Sequence, residues 1–186
     1  MAEYDLRPRR DARRTRVAIL EAAQDAFSTR GYSQTGVRDI TAAAGVNPAL
    51  VSRYFGSKDK LFEAALSELL DARLITGLPR AAFGVAVVAM LTTPSVGRRN
   101  PLPMMMLASA DETARSITDR LLKAFFIEPL SRWYGTDRGA DKAACFTILA
   151  SGLTLYRELY PLDALGPTMT KPTRTWLENA FQSLLD

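Results

Sequence analysis

Apolar residues recur at helical rather than alternating spacing along nearly the whole chain. Between Thr15 and Arg30, the residues Ile19, Leu20, Ala23 and Phe27 fall on one helix face, and Gly31 follows as a left-handed stop. Thr35 is placed to cap a second helix carrying Val37, Ile40, Ala43 and Ala44 and closed by Gly45. Its first turn holds Asp39, where a negative charge suits the helix dipole. After Val46, Asn47 suits a cap and Pro48 the first helical position of a third, short helix that runs to about Phe55 and ends at Gly56. Ser57 then caps a fourth, whose Leu61, Phe62, Ala65, Leu66, Leu69 and Leu70 form a broad apolar stripe predicted to continue to about Thr76.

Further helices are predicted over Arg80 to Thr92, Leu102 to about Thr113, Ala114 to Tyr134, Asp141 to Tyr160 and Pro172 to Leu185. The breaks Pro94 to Pro103, Gly135 to Gly139 and Pro161 to Pro172 are rich in Gly, Pro or charge. No run sustains two-residue alternation, so the expected fold class is all-α. A length of 186 residues suits one medium domain or a small module joined to a larger one. With 47% hydrophobic and 24% charged residues, wholesale disorder and fibrous repeats are excluded.

Composition removes most catalytic chemistry. There is no histidine and a single cysteine, Cys145, so Ser-His-Asp and Cys-His nucleophiles, Cys/His zinc sites and an intramolecular disulfide are ruled out. The acidic pairs Asp111-Glu112 and Asp137/Asp141 have too few partners for a metal, and no paired carboxylate, Lys or Tyr set has suggestive spacing. The expectation is a protein that is no enzyme and needs no cofactor. The apolar stretch Ala81 to Thr93 falls short of the ~20 residues a membrane span needs. Met1 to Arg16 is charged, with no apolar signal segment, which points to a cytoplasmic, reduced protein with no membrane partner.

Charge is unevenly placed. Residues 1 to 60 hold eleven Lys/Arg against seven Asp/Glu, residues 61 to 186 hold thirteen of each, and the whole formal +4 therefore belongs to the first third. Six arginines lie between Arg7 and Arg16, opposed only by Asp11. That is the density of an arm attracted to a polyanion, or of a solvated leader.

The segment Val37 to Phe55 decides between these. It joins two short helices through the tight Gly45-Val46-Asn47 turn, with Ile40, Ala44, Val46, Val51 and Phe55 spaced to meet between them, which is a helix-turn-helix. Placing Val51 inward and stepping ~100° per residue puts Ala49 and Arg53 on the outer side, flanked by Leu50 and Ser52. Arg53 can fork onto guanine, the short Ala49 permits close approach, and Leu50 can meet a thymine methyl. Asn47 and Ser52 can donate to phosphate or base edges, and Tyr54 can reach a backbone phosphate. Lys58 sits in the first turn of the fourth helix, against that helix's own dipole, a cost removed once an anion docks there. A hairpin of this kind also occurs where it merely packs, so a small-molecule-binding or interaction protein with a structural hairpin stays open.

The run Ile19-Leu20-Glu21-Ala22-Ala23, then Phe27, Gly31-Tyr32, Thr35, Val37-Arg38-Asp39-Ile40, Ala44-Gly45-Val46, Tyr54-Phe55, Ser57-Lys58 and Leu61-Phe62 resembles the DNA-binding half of the tetracycline-repressor (TetR-like) regulators over about residues 13 to 64. The resemblance implies an all-helical homodimer with a three-helix DNA-binding head and a divergent body that binds a small molecule. By position it implies a DNA surface of Arg38, Asn47, Pro48, Ala49, Leu50, Ser52, Arg53, Tyr54 and Lys58. Two residues depart from the pattern: Ser52 stands where such proteins often carry a tyrosine, and Thr41 replaces a small alanine near the helix crossing. The resulting division is a basic arm over 1–14, a helix-turn-helix domain over 15–60 and a ligand-binding and dimerisation domain over 61–186.

A short helix reads only a few base pairs, and two heads ~34 to 36 Å apart read a palindromic double-stranded operator together. The last two long helices are the candidates for pairing with their mates, through Phe146, Leu149, Leu153, Trp176, Leu177, Phe181 and Leu184, although each residue taken singly also suits an intramolecular core. A hydrophobic effector is expected among the middle helices, with Phe83, Met105, Phe125, Phe126, Trp133 and Tyr156 as candidate contacts. Of Met104, Met105 and Met106, at least one must face away from such a site. The implied mechanism is release of the operator when the effector shifts the fourth helix through Leu66, Leu69 and Leu70.

Overall fold

The computed structural model describes residues 7–93, 99–135, 137–166 and 169–186, with side chains from Asp11 onward. Among them there is no strand, in agreement with the all-α expectation. The helices are α1 (Arg7–Arg30), α2 (Val37–Ala43), α3 (Ala49–Phe55), α4 (Lys58–Ser67), α5 (Arg73–Thr76), α6 (Phe83–Thr92), α7 (Leu102–Ala108), α8 (Glu112–Leu122), α9 (Glu128–Tyr134), α10 (Gly139–Thr154) and α11 (Lys171–Gln182). The chain forms two compact units, one of residues up to Leu69 with Pro103–Leu121, the other of Leu70–Leu102 with Leu122–Asp186. No helix among the described residues is long and apolar enough to cross a membrane.

In the first unit, the stripe Ile19, Leu20, Ala23 and Phe27 of α1 is buried as its spacing predicts. The helix starts earlier than Thr15, because Arg and Ala are strong helix formers and the basic stretch from Arg7 winds into α1. Residues 1–6 of the expected arm lie outside the described residues. The rings of Phe27, Tyr32 and Phe62 meet at centroid distances of 5.2 to 5.9 Å. Ile40, Val51, Leu61 and Leu66 complete the buried interior, each worth ~1.5 to 3 kcal/mol of burial. Gln24 is buried yet satisfied, its Nε2 donating to the Ala65 carbonyl at 3.1 Å and tying α1 to α4.

Local chemistry moved several helix ends. Thr35 does not cap α2: its hydroxyl donates back to the Gly31 carbonyl at 2.7 Å, and Gly36 takes the cap position, its amide donating to Asp39 at 2.9 Å. Ser57 does cap α4, accepting from the Lys60 amide at 3.2 Å. That helix stops at Ser67 rather than near Thr76. The Ser67 hydroxyl bonds back to the Ala64 carbonyl, and Asp71 accepts the Arg73 amide at 2.9 Å to open the separate turn α5. Leu69 and Leu70 thus lie beyond α4. The break expected between Thr113 and Ala114 falls instead at 109–111, where Asp111 accepts the Ala114 amide at 3.0 Å and caps α8. Of the three successive methionines, Met104 is fully buried, whereas Met105 and Met106 are half-buried.

In the second unit, α6 and α11 approach so closely at Gly84 that a Cβ there would lie 1.9 Å from the Glu178 carbonyl oxygen. Gln182 fastens the crossing, accepting the Gly84 amide at 3.0 Å and donating to the Arg80 carbonyl at 3.1 Å. Phe83, Val87, Val88, Leu130, Phe146, Leu177 and Phe181 are buried in the core. The predicted long helices ending at Tyr134 and Tyr160 each contain a π-helical turn, Lys123–Ile127 and Leu155–Leu159. Pro129 has no amide to donate, and ahead of it the Glu128 amide reaches back five residues to the Lys123 carbonyl.

The mate-facing seam read from the sequence is largely corrected. Phe146, Leu153, Leu177 and Phe181 are buried inside this unit, and Leu149 and Leu184 pack against the same core. Trp176 is 62% exposed, and Ile148, absent from the sequence reading, is 71% exposed. Periodicity marks an apolar face without saying whether its partner is the same chain or a second copy.

Candidate nucleic-acid interface

The α2–α3 turn is built from local hydrogen bonds. Gly45 has φ +66°, which suits glycine alone without cost, and the Val46 amide donates to the Thr41 carbonyl at 2.9 Å. Thr41, the residue that departs from the family's small alanine, is buried but satisfied: its hydroxyl donates to the Val37 and Arg38 carbonyls at 3.0 and 3.1 Å. The cap position of α3 falls at Pro48, one residue later than the sequence predicts; Asn47 Oδ1 still accepts the Ala49 amide at 2.8 Å and leaves its Nδ2 donors for another partner.

On α3, Val51 is 2% exposed and fixes the inner face. Ala49, Ser52 and Arg53 are exposed, and Leu50 and Tyr54 are half-buried along the edges, which is the order the ~100° step predicts. Asn47 and Pro48 before the helix, and Arg38 on α2, are exposed as well. Arg38 and Arg53 take part in no ion pair among the described residues, whereas Arg30 faces Asp39 at 3.9 Å and Arg16 faces Glu68 at 3.5 Å. An exposed guanidinium without an internal acid keeps its forked donors for an external anion or base edge. Arg16 also lies over the Phe55 ring at 5.2 Å, anchoring the end of α3 to α1. Arg13, Arg14, Val17, Ala18 and Glu21 line an open groove of about 450 Å³ along α1.

Lys58 stands in the first turn of α4, as the sequence predicts, and meets groups of its own chain there. It is half-buried, its ammonium 4.0 Å from the centre of the Tyr32 ring, and the Tyr32 hydroxyl donates to Asp59. Burial and that hydrogen bond to Asp59 push the Tyr32 phenol well above its ordinary range, so it stays a neutral donor. The Asp111 carboxylate is held below the usual range first by the Ser33 hydroxyl at 2.6 Å and then by the Ala114 amide, with the Lys58 charge contributing. Asp111, on Ser33, and Lys58, on the Tyr32 ring, thus flank the same turn.

Among the effector candidates, Phe83, Phe126 and Trp133 fall in one aromatic cluster of the second unit. Phe83 lies 5.2 Å from Trp133 and 6.2 Å from Phe146, and Phe126 lies 6.2 Å from Phe146. Phe125 and Tyr156 are 47% and 44% exposed, and Met105 belongs to the first unit. Tyr134 in the same cluster has a buried hydroxyl with no hydrogen-bond partner among the described residues, and burial pushes its phenol well above the ordinary range, which makes it a weaker acid. A buried orphan hydroxyl is uncommon and draws notice to this residue.

The glycine-turned helix pair, with Arg53 in no ion pair among the described residues and short side chains around it on the outer face, is a helix-turn-helix. The profile of bacterial regulatory proteins of the TetR family matches residues 19–65, and that of the tetracycline repressor-like C-terminal domain matches residues 81–185; the chain belongs to the TetR family. Regulators of this family are DNA-binding transcription factors rather than enzymes. An HTH-type transcriptional repressor of Mycobacterium tuberculosis is 52% identical over 52 residues, and the match spans only 28% of each chain. The regulator TtgR of Pseudomonas putida is 38% identical over 63 residues, 34% of this chain and 30% of its own. Among solved structures, a putative TetR-family regulator from Rhodococcus sp. superposes with a TM-score of 0.72 at 20% identity, covering 93% of this chain and 99% of its own. NalD of Pseudomonas aeruginosa, the secondary repressor of a multidrug efflux pump, gives 0.62 at 20% identity over 94% and 95%. Both likenesses concern the fold.

Proposed function

We propose that the protein is a ligand-responsive repressor that holds a palindromic operator as a homodimer and leaves it when a hydrophobic small molecule occupies the body. The observation that carries the reading is the outer face of α3, where exposed Ala49, Ser52 and unpaired Arg53 stand opposite the buried Val51. Arg53 reads guanine, Leu50 meets a thymine methyl, and Arg38, Asn47, Pro48, Ala49, Ser52, Tyr54 and Lys58 position the head on the duplex. The functional division is a basic lead-in over 1–14, the reading head over 15–60 and the body over 61–186.

Two copies meet through α10 and α11, with Ile148 and Trp176 as the apolar contacts, since these large side chains point outward from those helices. The effector enters the aromatic cluster of Phe83, Phe126 and Trp133, where the Tyr134 hydroxyl offers a hydrogen bond to a polar group on it. To act as a switch, it must prefer the released form by a few kcal/mol, because equal affinity for both forms shifts nothing.

Selection of bound fragments from the source genome, followed by footprinting, tests the reading. The expected result is a protected inverted repeat with half-sites about one DNA turn apart. Absence of any protected site at low ionic strength would overturn it and leave the hairpin a packing element.

A further inference from the structure

The segment 103–121, which carries nearly all of α7 and α8, is folded into the first unit, yet the chain enters it from the second unit at residue 102 and returns at residue 122. It is held to the head by specific contacts. A Cβ on Gly31 would lie 3.4 Å from that of Leu107, so the backbones lie close there. Ser33 donates to Asp111 at 2.6 Å, and Arg120 pairs with Glu63 of α4 at 3.1 Å. These contacts seat the Asp111 carboxylate beside the 31–33 turn, whose Tyr32 ring carries the Lys58 ammonium on its face. Asp111 is bound to Ser33 and Lys58 lies on the ring of the adjacent Tyr32, so the two charges flank one turn without forming an ion pair within 4.0 Å. Lys58 stands in the first turn of α4, where the free amides also favour an anion.

We propose that Asp111 is an internal competitor for the phosphate that meets Lys58, so that the position of the segment 103–121 sets the strength of the head's grip on DNA. A carboxylate close to the lysine lowers the potential that a phosphate would feel, and both compete for the same ammonium. The segment is tethered to the ligand-binding unit at both ends, so a change there that moves Asp111 toward or away from Lys58 alters DNA affinity without touching α3. The inference rests on the DNA-binding reading, with Lys58 as a phosphate contact.

Asp111→Asn tests it, because asparagine still caps α8 and still accepts from Ser33, while the charge is lost. Asp119→Asn removes the same charge from the exposed face of the same helix. Binding of the full-length dimer to random-sequence duplex DNA at low salt is measured by anisotropy. Asp111→Asn is expected to tighten it about three- to tenfold, and Asp119→Asn by less than about twofold. In a Lys58→Ala background the Asp111→Asn gain should shrink below about twofold, since the coupling partner is gone. Asp111→Ser, which also keeps a cap, should act in the same direction. Equal effects of the two neutralisations, or a gain undiminished without Lys58, overturn the inference. Elution from heparin separates this from failure of the DNA reading: Asp111→Asn must elute at higher salt than Asp119→Asn whether or not wild-type protein binds duplex, and elution of the two variants at equal salt refutes the competition.

Discussion

Gly84→Ala puts the closest approach in the second unit under direct test. The added methyl would sit 1.9 Å from the Glu178 carbonyl oxygen, 2.8 Å from its carbon and 3.0 Å from the Gln182 amide nitrogen, all backbone atoms that cannot rotate away. Relief requires α6 and α11 to part by about 1 Å, which loosens the close packing around the crossing. Phe83, Val87, Leu177 and Phe181, all buried, lie on these two helices, and the bond from the Gly84 amide to Gln182 at 3.0 Å is stretched. Overpacking of this kind costs ~1 to 3 kcal/mol or more, and the lost amide bond adds ~1. Against this, alanine is a better helix former than glycine by ~1 kcal/mol. The net expectation is a loss of about 1 to 3 kcal/mol, large beside the ~5 to 15 kcal/mol of a typical domain. Urea unfolding followed by circular dichroism reads the change as a lower midpoint. A Gly84→Ala protein as stable as wild type would show that the two helices are not packed backbone to backbone.

Arg53→Ala is expected to cost ~1 to 3 kcal/mol of operator affinity and to relax preference at particular base pairs, read by competition with singly substituted operators. A uniform loss across all sequences would reassign Arg53 to the phosphate backbone. Trp176→Glu places like charges at the proposed two-fold contact and should shift the protein to monomer in sedimentation while its helix content stays unchanged; an intact dimer moves the interface elsewhere. Glu63 is held below the usual carboxylate range, first by its hydrogen bond from Lys60 and then by Arg120. A depressed folded value means that its stabilisation is present above the ordinary carboxylate range and is lost as pH falls through the lowered value. Thermal melts of wild type should therefore drop more steeply on the acid side than those of Glu63→Gln, and parallel profiles would remove the ion pair from the account.

What the sequence exposed and what it hid divide along a physical line. Signals that act within a turn or two were readable: the stripe from Ile19 to Phe27, Ser57 as a cap, Gly45 as the left-handed turn and Val51 as the inner residue of α3 all follow from neighbours a few positions away. Thr35 misled because a hydroxyl can serve either the helix ahead or the carbonyls behind, and here it turned to Gly31. Ser67 and Asp71 ended α4 by the same competition, in a stretch whose leucines alone predicted continuity. Contacts between distant segments had no signature in the chain. Nothing around Asp111 announced that it would face Ser33, 78 positions away, and nothing around Lys58 announced that its ammonium would rest on the Tyr32 ring. The apolar residues of α10 and α11 show the limit most clearly. Phe146 and Ile148 differ by two positions, which on a helix is more than half a turn. One is buried in the core and the other exposed, although hydrophobicity ranks them alike. Only the direction of each side chain separates residues that stabilise one chain from those free to join two. For that reason the inner and outer faces of α3 were legible residue by residue, while outward-facing Ile148 and Trp176 were not told apart from buried Phe146 and Phe181.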